Sequence, residues 1–237
     1  MALNRRSFLT AFGTATAAGL IGFIQGGNLA WAEALSKTKR DKMMPDEIIG
    51  HAKIGNERFS TGRRKDRNFL RELKTSAKGQ YPAAVVLSCI DSRAPVEVIL
   101  DLGIGDIFNS RVAGNIANED ILGSMEYACV VAGSKVVLVM GHTACGAIKG
   151  AIDKVQLGHL TGLLEKIRPA VETTLYDGER TSKNDTFVNA VARKNVDLTM
   201  AEIRAKSPLL KELETKGSIK IVGAMYNLDT AVVEFFS

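Results

Sequence analysis

The chain has 237 residues, a formal net charge of +5 and three cysteines. Its length allows one domain of about 200 residues with a full hydrophobic core, once a predicted leader is set aside. Two of the positive charges lie in that leader, and no block of lysine and arginine with interleaved aromatic residues follows, so nucleic-acid binding is disfavoured. Three cysteines are too few for a fold held together by disulfides.

The first segment of the chain, residues 1–34, is predicted to be an export leader rather than part of the folded domain. Arg5 and Arg6 precede an uncharged stretch at 10–25, and an Ala-Trp-Ala cleavage pattern follows. A paired arginine ahead of a weakly apolar segment resembles a twin-arginine signal. Several glycines and threonines make the stretch a poor membrane-spanning helix, which needs ~20 mostly apolar residues. We therefore expect export to the periplasm or an equivalent compartment, cleavage, and no stable membrane insertion of the domain 35–237; a retained anchor is the alternative.

After the leader, predicted helices and strands alternate along the chain. The runs 83–88 and 135–140 are apolar and rich in β-branched residues, which is typical of buried parallel strands. The alternation predicts an α/β domain with a mainly parallel central sheet flanked by helices. In chain order, the predicted elements are helices 45–58 and 68–78, strand 83–88, helix 95–100, strand 106–112, helix 122–132, strand 135–140, helices 146–155, 162–172 and 185–206, and strands 218–224 and 232–236.

Two short strings follow the two most apolar strands, Cys-Ile-Asp-Ser-Arg at 89–93 and His-Thr-Ala-Cys-Gly at 142–146. Open α/β sheets place their sites at the carboxyl ends of strands, so we expect Cys89, His142 and Cys145 to meet there. Two thiolates and one imidazole suit zinc and leave a fourth position for water or substrate. The sequence therefore predicts a zinc site built from two neighbouring strands.

The first string also carries a carboxylate and a guanidinium, Asp91 and Arg93, whose side chains share a face if the segment is extended. A carboxylate beside a guanidinium stays ionised and remains a hydrogen-bond acceptor. Such a group can fix the orientation of a zinc hydroxide. The alternative is an ordinary structural salt bridge on a turn. Cys129, inside an apolar segment, is predicted to be a buried small residue.

With these motifs, C-x-D-x-R followed by H-x-x-C-G, the chain resembles the β-class carbonic anhydrases over most of its length after the leader. The resemblance implies a zinc enzyme that interconverts carbon dioxide and bicarbonate by zinc-hydroxide attack. It implies one zinc ion per subunit on Cys89, His142 and Cys145, with Asp91 and Arg93 as the catalytic dyad. It also implies a homodimer or homotetramer whose sites lie near the subunit interface.

The same resemblance assigns Gln80, Phe108 and Tyr127 to the substrate pocket. Without it, Gln80 would be interpreted as a loop residue and the two aromatic residues as core. Two alternatives remain open at this point. One is a carbonyl sulfide or carbon disulfide hydrolase on the same fold, and the other is a non-catalytic zinc-binding or redox-sensing module.

Overall fold

The computed structural model describes residues 34–236, so the predicted export leader lies outside the described residues. Its centre is a five-stranded sheet in the order β2-β1-β3-β4-β5. The first four of these strands are parallel, and β5 runs antiparallel to β4. This arrangement confirms the predicted α/β class with a mainly parallel sheet. The strands are β1 Ala84–Ser88, β2 Ile107–Arg111, β3 Val136–His142, β4 Lys220–Tyr226 and β5 Val233–Phe236.

Helices cover both faces of the sheet, which explains why β1 and β3 are apolar throughout rather than alternating. Successive side chains of a strand point to opposite faces. Val86 of β1 therefore packs in the same cluster as Ile48 of helix α2, Pro45–Ser60. Leu87, its neighbour in the strand, packs in a different cluster with Val196 of helix α9, Asp185–Lys206. Each such buried side chain contributes about 2 kcal/mol of hydrophobic free energy.

Several helices of the described residues begin at recognisable cap residues. The side chains of Asn68, Asn118, Asn184 and Ser207 each accept a hydrogen bond from a backbone N–H of the first turn that follows. The helices are α1 Lys37–Lys42, α2 Pro45–Ser60, α3 Phe69–Ser76, α4 Val96–Ile99, α5 Glu119–Glu126, α6 Gly146–Ile152, α7 Gly158–Glu165, α8 Arg168–Thr173, α9 Asp185–Lys206 and α10 Pro208–Thr215. None of the helices in the described part of the chain is long and apolar enough to cross a membrane.

Two predicted helical segments differ from the structure, and two helices of the structure were not predicted. The single helix expected at 162–172 is two helices, because Pro169 starts α8 and cannot donate a backbone hydrogen bond to the turn before it. The helix expected at 122–132 begins earlier, at its cap Asn118, and ends in a π-helical turn, Tyr127–Val131. Helix α10 was not predicted, although Ser207 and Pro208 form an ordinary helix start. Helix α1 was not predicted either.

Candidate metal centre

The three predicted metal ligands lie together at the carboxyl end of the sheet. Strands β1 and β3 are neighbours, and Ser88 stands opposite Met140 in their register. Cys89 directly follows the end of β1 and therefore lies beside the last residues of β3, which ends at His142. Cys145 lies three residues later, at the N-cap position of α6. All three side chains are buried.

The two sulfurs have the spacing of ligands on one tetrahedral zinc ion, and the imidazole lies near both. The sulfurs of Cys89 and Cys145 are 3.9 Å apart, and all three ligand atoms lie within 4.8 Å of one another. Two sulfurs that each lie ~2.3 Å from one zinc ion at a tetrahedral angle are about 3.8 Å apart. A zinc ion held by these three ligands would keep a fourth position for water or substrate.

The hydrogen bonding of the His142 imidazole also indicates that it is prepared to bind a metal ion. Its Nδ1 lies 2.9 Å from the carbonyl oxygen of Thr143. A carbonyl can only accept, so Nδ1 carries the proton and Nε2 keeps its lone pair. Nε2 is buried and has no hydrogen-bond partner. A buried lone pair beside two thiols is costly unless a cation binds there, so this donor set fits zinc.

The hydrogen bond between the two thiols moves their pKa values apart. A hydrogen bond from the Cys145 thiol is the main reason that the pKa of Cys89 is lowered, and the same bond raises the pKa of Cys145. The pair therefore shares one proton, which a metal would displace. Cys129 behaves differently, because burial alone raises the pKa of its thiol to about 12. It is a buried, inert thiol, as predicted.

The turn that carries the second string is held by a residue that the sequence analysis missed. Ala144 has a φ of 53°, and its N–H donates to Oδ1 of Asn189 in α9 at 2.9 Å. The N–H of Thr143 donates to the carbonyl oxygen of Tyr226 in β4 at 2.9 Å. The only sequence signal for Asn189 is an amide side chain within a long helix, which does not reveal its partner.

Cys89 is supported from the turn after β2. The N–H of Gly114 lies 3.4 Å from the Cys89 sulfur. Gly114 has a φ of 69°, and a Cβ there would lie 2.5 Å from a methyl group of Ile167, so only glycine fits. Its carbonyl accepts a hydrogen bond from Nδ2 of the buried Asn195 in α9 at 2.8 Å. Asn195 was also missed.

Asp91 and Arg93 form the predicted pair. The guanidinium binds the carboxylate through two bonds, Nε to Oδ1 at 3.0 Å and Nη2 to Oδ2 at 2.8 Å, and the Arg93 backbone N–H donates to Oδ1 at 2.9 Å. The Arg93 hydrogen bonds hold the pKa of Asp91 well below its usual range. Oδ2 lies 3.7 Å from Nε2 of His142, but the carboxylate is not a member of the ligand cluster. A charged acceptor thus stands beside the metal position without occupying it.

Gln80, Phe108 and Tyr127 do not approach the metal ligands within one subunit. Gln80 is exposed in the loop before β1, at the end of that strand opposite to Cys89. Phe108 stands opposite Val85 in the register, four residues before Cys89, which corresponds to about 13 Å along the strand.

Phe108 and Tyr127 instead form an edge-to-face aromatic pair with ring centroids 6.0 Å apart. The Tyr127 side chain is 52% exposed. The interpretation of Tyr127 as a core residue is therefore wrong for a single subunit.

Comparisons with known proteins agree with this geometry. The family model described as carbonic anhydrase matches residues 84–233, well over half of the chain. "Carbonic anhydrase 2" of Mycobacterium tuberculosis is 37% identical over 183 residues, which are 75% of this chain and 86% of that protein. The carbonic anhydrase of Mycolicibacterium smegmatis is 32% identical over 189 residues, 78% of this chain and 90% of that protein.

Solved structures of the β class share the fold. The β-carbonic anhydrase CafA of Aspergillus fumigatus superposes with a TM-score of 0.63 at 26% identity, over 81% of this chain and 90% of that one. A tetrameric β-carbonic anhydrase of Sordaria macrospora gives a TM-score of 0.62 at 21% identity, over 81% of this chain and 95% of that one. At 21% identity, the similarity to the Sordaria macrospora structure shows only that the two chains share a fold.

Proposed function

This chain belongs to the β-class carbonic anhydrase family, and we propose that it carries out the zinc-dependent, reversible hydration of carbon dioxide at the centre described above. The products are bicarbonate and a proton. Cys89, His142 and Cys145 hold one zinc ion per subunit, and Asp91 with Arg93 is the catalytic pair. The observation that carries this proposal is the unpartnered Nε2 of buried His142, flanked by two thiols and by a carboxylate 3.7 Å away.

Zinc, when bound, supplies Lewis acidity that lowers the pKa of water at its open position. The Asp91 carboxylate provides a fixed hydrogen-bond acceptor beside that position. Its low pKa keeps it charged and unable to donate. Arg93 engages both carboxylate oxygens and so keeps Asp91 from joining the ligand cluster.

A proton-release assay on zinc-loaded protein tests this function. Carbon dioxide should give rapid, zinc-dependent acidification, and carbonyl sulfide should give little reaction, because the relatives matched by sequence are carbonic anhydrases. Rapid turnover of carbonyl sulfide alone would favour the hydrolase on the same fold. No turnover of either substrate by fully zinc-loaded protein would favour a binding or sensing module.

We also propose that Gln80, Phe108 and Tyr127 contribute to the substrate pocket of a partner subunit in a homodimer or a homotetramer built from such dimers. Support comes from their position away from the metal ligands of their own subunit. β2, which carries Phe108, lies at the edge of the sheet, with one side unpaired among the described residues. The exposed Tyr127 ring and its contact with Phe108 give this edge an apolar face that a second copy can cover.

Mixing two inactive variants tests this arrangement. Gln80→Ala lacks a pocket residue, and Cys89→Ser lacks a metal ligand. If Gln80 acts across the interface, re-associated mixed dimers contain one complete site, and activity should recover to about a quarter of the wild-type value. No recovery from dimers shown to have mixed would place Gln80 with the metal centre of its own subunit.

Finally, we propose export through the twin-arginine pathway to the periplasm or an equivalent compartment. Support comes from the sequence alone, in the Arg5-Arg6 pair and the weakly apolar stretch behind it. Export of a folded, metal-loaded domain avoids joining Cys89 and Cys145 in a disulfide. Changing both arginines to lysine should leave active precursor in the cytoplasm, and unchanged export of that variant would contradict the assignment.

A further inference from the structure

We infer that Arg111 is a positioning residue of this centre, whose guanidinium fixes the backbone turn that carries both a metal ligand and the catalytic carboxylate. Its Nε donates to the carbonyl oxygen of Cys89 at 2.9 Å, and its Nη2 donates to the carbonyl oxygen of Asp91 at 2.5 Å. One planar group thus spans the first and third residues of the Cys-x-Asp-x-Arg string. The inference rests on the proposed hydration chemistry.

The fold delivers Arg111 to this turn from the neighbouring strand. Arg111 is the last residue of β2 and stands opposite Ser88 of β1. The N–H of the next residue, Val112, still donates to the Ser88 carbonyl at 3.0 Å. The Arg111 backbone is therefore fixed by the sheet, and its side chain reaches along the sheet end to the turn that follows β1.

The partners of Arg111 are backbone carbonyls rather than a carboxylate. A guanidinium ordinarily pairs with a carboxylate, whose geometry matches its donors. No ion pair joins Arg111 to a carboxylate anywhere in residues 34–236, and the half-buried side chain donates to two neutral carbonyls instead. Hydrogen bonds from a charged donor are stronger than those between neutral groups, so the turn is held firmly.

This contact adds a second anchor to each functional residue. Arg93 holds the Asp91 carboxylate, whereas Arg111 holds the Asp91 carbonyl. The Gly114 N–H faces the Cys89 sulfur, whereas Arg111 holds the Cys89 carbonyl. The distance between ligand and carboxylate is set by this short stretch of backbone. A displacement of ~1 Å between reacting groups can cost about a hundredfold in rate.

The chain offers a matched control in Arg180. Its exposed guanidinium also donates to two carbonyl oxygens, those of Thr174 at 2.8 Å and Val171 at 2.6 Å, but at the C-terminal end of α8. Changes at Arg180 therefore remove the same kind of hydrogen bonds, together with a contact on the Phe187 ring, without touching the Cys89–Asp91 turn. A purely structural role for Arg111 would make the two positions respond alike.

The test compares Arg111→Lys and Arg111→Gln with the same changes at Arg180, in zinc-loaded protein and in protein loaded with cobalt(II). Lysine keeps the positive charge but lacks the planar guanidinium that can donate to two carbonyls at once. We expect kcat per bound metal to fall about tenfold in Arg111→Lys and about a hundredfold in Arg111→Gln, with KM little changed. The visible cobalt spectrum, which reports the geometry around the metal, should shift in both. The Arg180 variants should match wild type in kcat and in spectrum.

Values of kcat within about twofold of wild type for the Arg111 variants, or an unshifted cobalt spectrum, would overturn the inference. Equal losses in the Arg180 variants would also overturn it. If Arg111→Gln fails to fold, Arg111→Lys decides on the same criteria. An inactive wild type would reject the proposed function instead, while the cobalt spectra would still show whether Arg111 sets the geometry of the turn.

Discussion

Asp91 and Asp101 are both carboxylates bound by arginines, but their surroundings differ. The comparison shows what distinguishes a carboxylate that takes part in catalysis from one that stabilises the fold. Asp101 follows helix α4 and has no exposed surface. Its carboxylate accepts from Nε of Arg58 at 2.5 Å and from the backbone N–H of Lys65 at 3.3 Å, and its carbonyl accepts from Nη2 of Arg67 at 2.6 Å. Every acceptor of Asp101 is therefore engaged within the protein.

Asp91 is also a carboxylate paired with an arginine, but its surroundings within the protein do not satisfy it fully. A single arginine binds its carboxylate, its side chain is 15% exposed, and a buried imidazole nitrogen without a partner lies 3.7 Å from Oδ2. An ion pair therefore does not by itself indicate a site. What distinguishes the functional pair is partial exposure combined with unsatisfied polar atoms next to it.

The largest effect should come from removing a metal ligand. Cys89→Ser replaces a thiolate by a hydroxyl that binds zinc poorly, so we expect loss of the metal and of essentially all carbon dioxide hydration. Metal content and proton release measured on the same sample check this. Cys129→Ser is the control, because this buried thiol lies outside the ligand cluster and should leave both quantities unchanged. Stoichiometric zinc and normal turnover in Cys89→Ser would contradict the ligand set.

The next effect should come from Arg93→Ala. Without the guanidinium, Asp91 is free to move toward the metal, so we expect about a hundredfold loss of kcat with zinc retained. The matched control is Arg204→Ala, which removes another two-bond pair, with Glu214 at 2.8 Å for both bonds, away from the ligand cluster. The control should lower the melting temperature and leave kcat unchanged. Near-normal turnover in Arg93→Ala would reduce the pair to a structural salt bridge.

Asp101→Asn should produce the opposite result, a loss of stability without loss of chemistry. Asparagine tolerates the left-handed backbone at this position, φ 49°, so the change removes mainly the charge. Breaking this buried cluster should lower the free energy of unfolding by about 3 kcal/mol. Urea denaturation measures the loss, and kcat of the folded, zinc-loaded enzyme should stay at the wild-type value. A lower kcat with unchanged stability would erase the distinction between the two carboxylates.

A smaller effect concerns Asp106, which lies near the same charged cluster. Burial raises its pKa from 3.8 to about 6, and the nearby Glu72 adds to this rise. The Gly103 N–H, Arg67 and Lys65 act in the opposite direction but do not cancel it. The folded state then binds more protons than the unfolded state between those two pH values, so stability falls as pH rises through this window and levels off above it. The contribution is about 2 to 3 kcal/mol.

Subtracting the free energy of unfolding of Asp106→Asn from that of wild type isolates this contribution, because other groups titrate in both proteins. The difference should fall between about pH 4 and pH 6 and stay flat at higher pH. A difference that rises with pH would mean that Asp106 is stabilised as a carboxylate, as Asp91 is.

The sequence predicted the parts of this centre that depend on strand ends. The apolar runs before Cys89 and His142 identify two parallel strands, and the carboxyl ends of such strands meet at one edge of a sheet. The roles of Arg111 and Asn195 could not be predicted in this way, since each depends on how distant parts of the chain pack together. Pro169 and the Ser207-Pro208 start of α10 were local signals that the sequence analysis did not use.

The central claim is that Asp91 performs chemistry and is not merely part of a salt bridge, and Asp91→Asn tests it most directly. The change preserves side-chain shape and removes the charge. The measurement is stopped-flow hydration of carbon dioxide by the zinc-loaded variant, with metal content and stability determined on the same sample. The account predicts full zinc occupancy, wild-type stability and a loss of at least about a hundredfold in kcat. Wild-type turnover with zinc bound would contradict it.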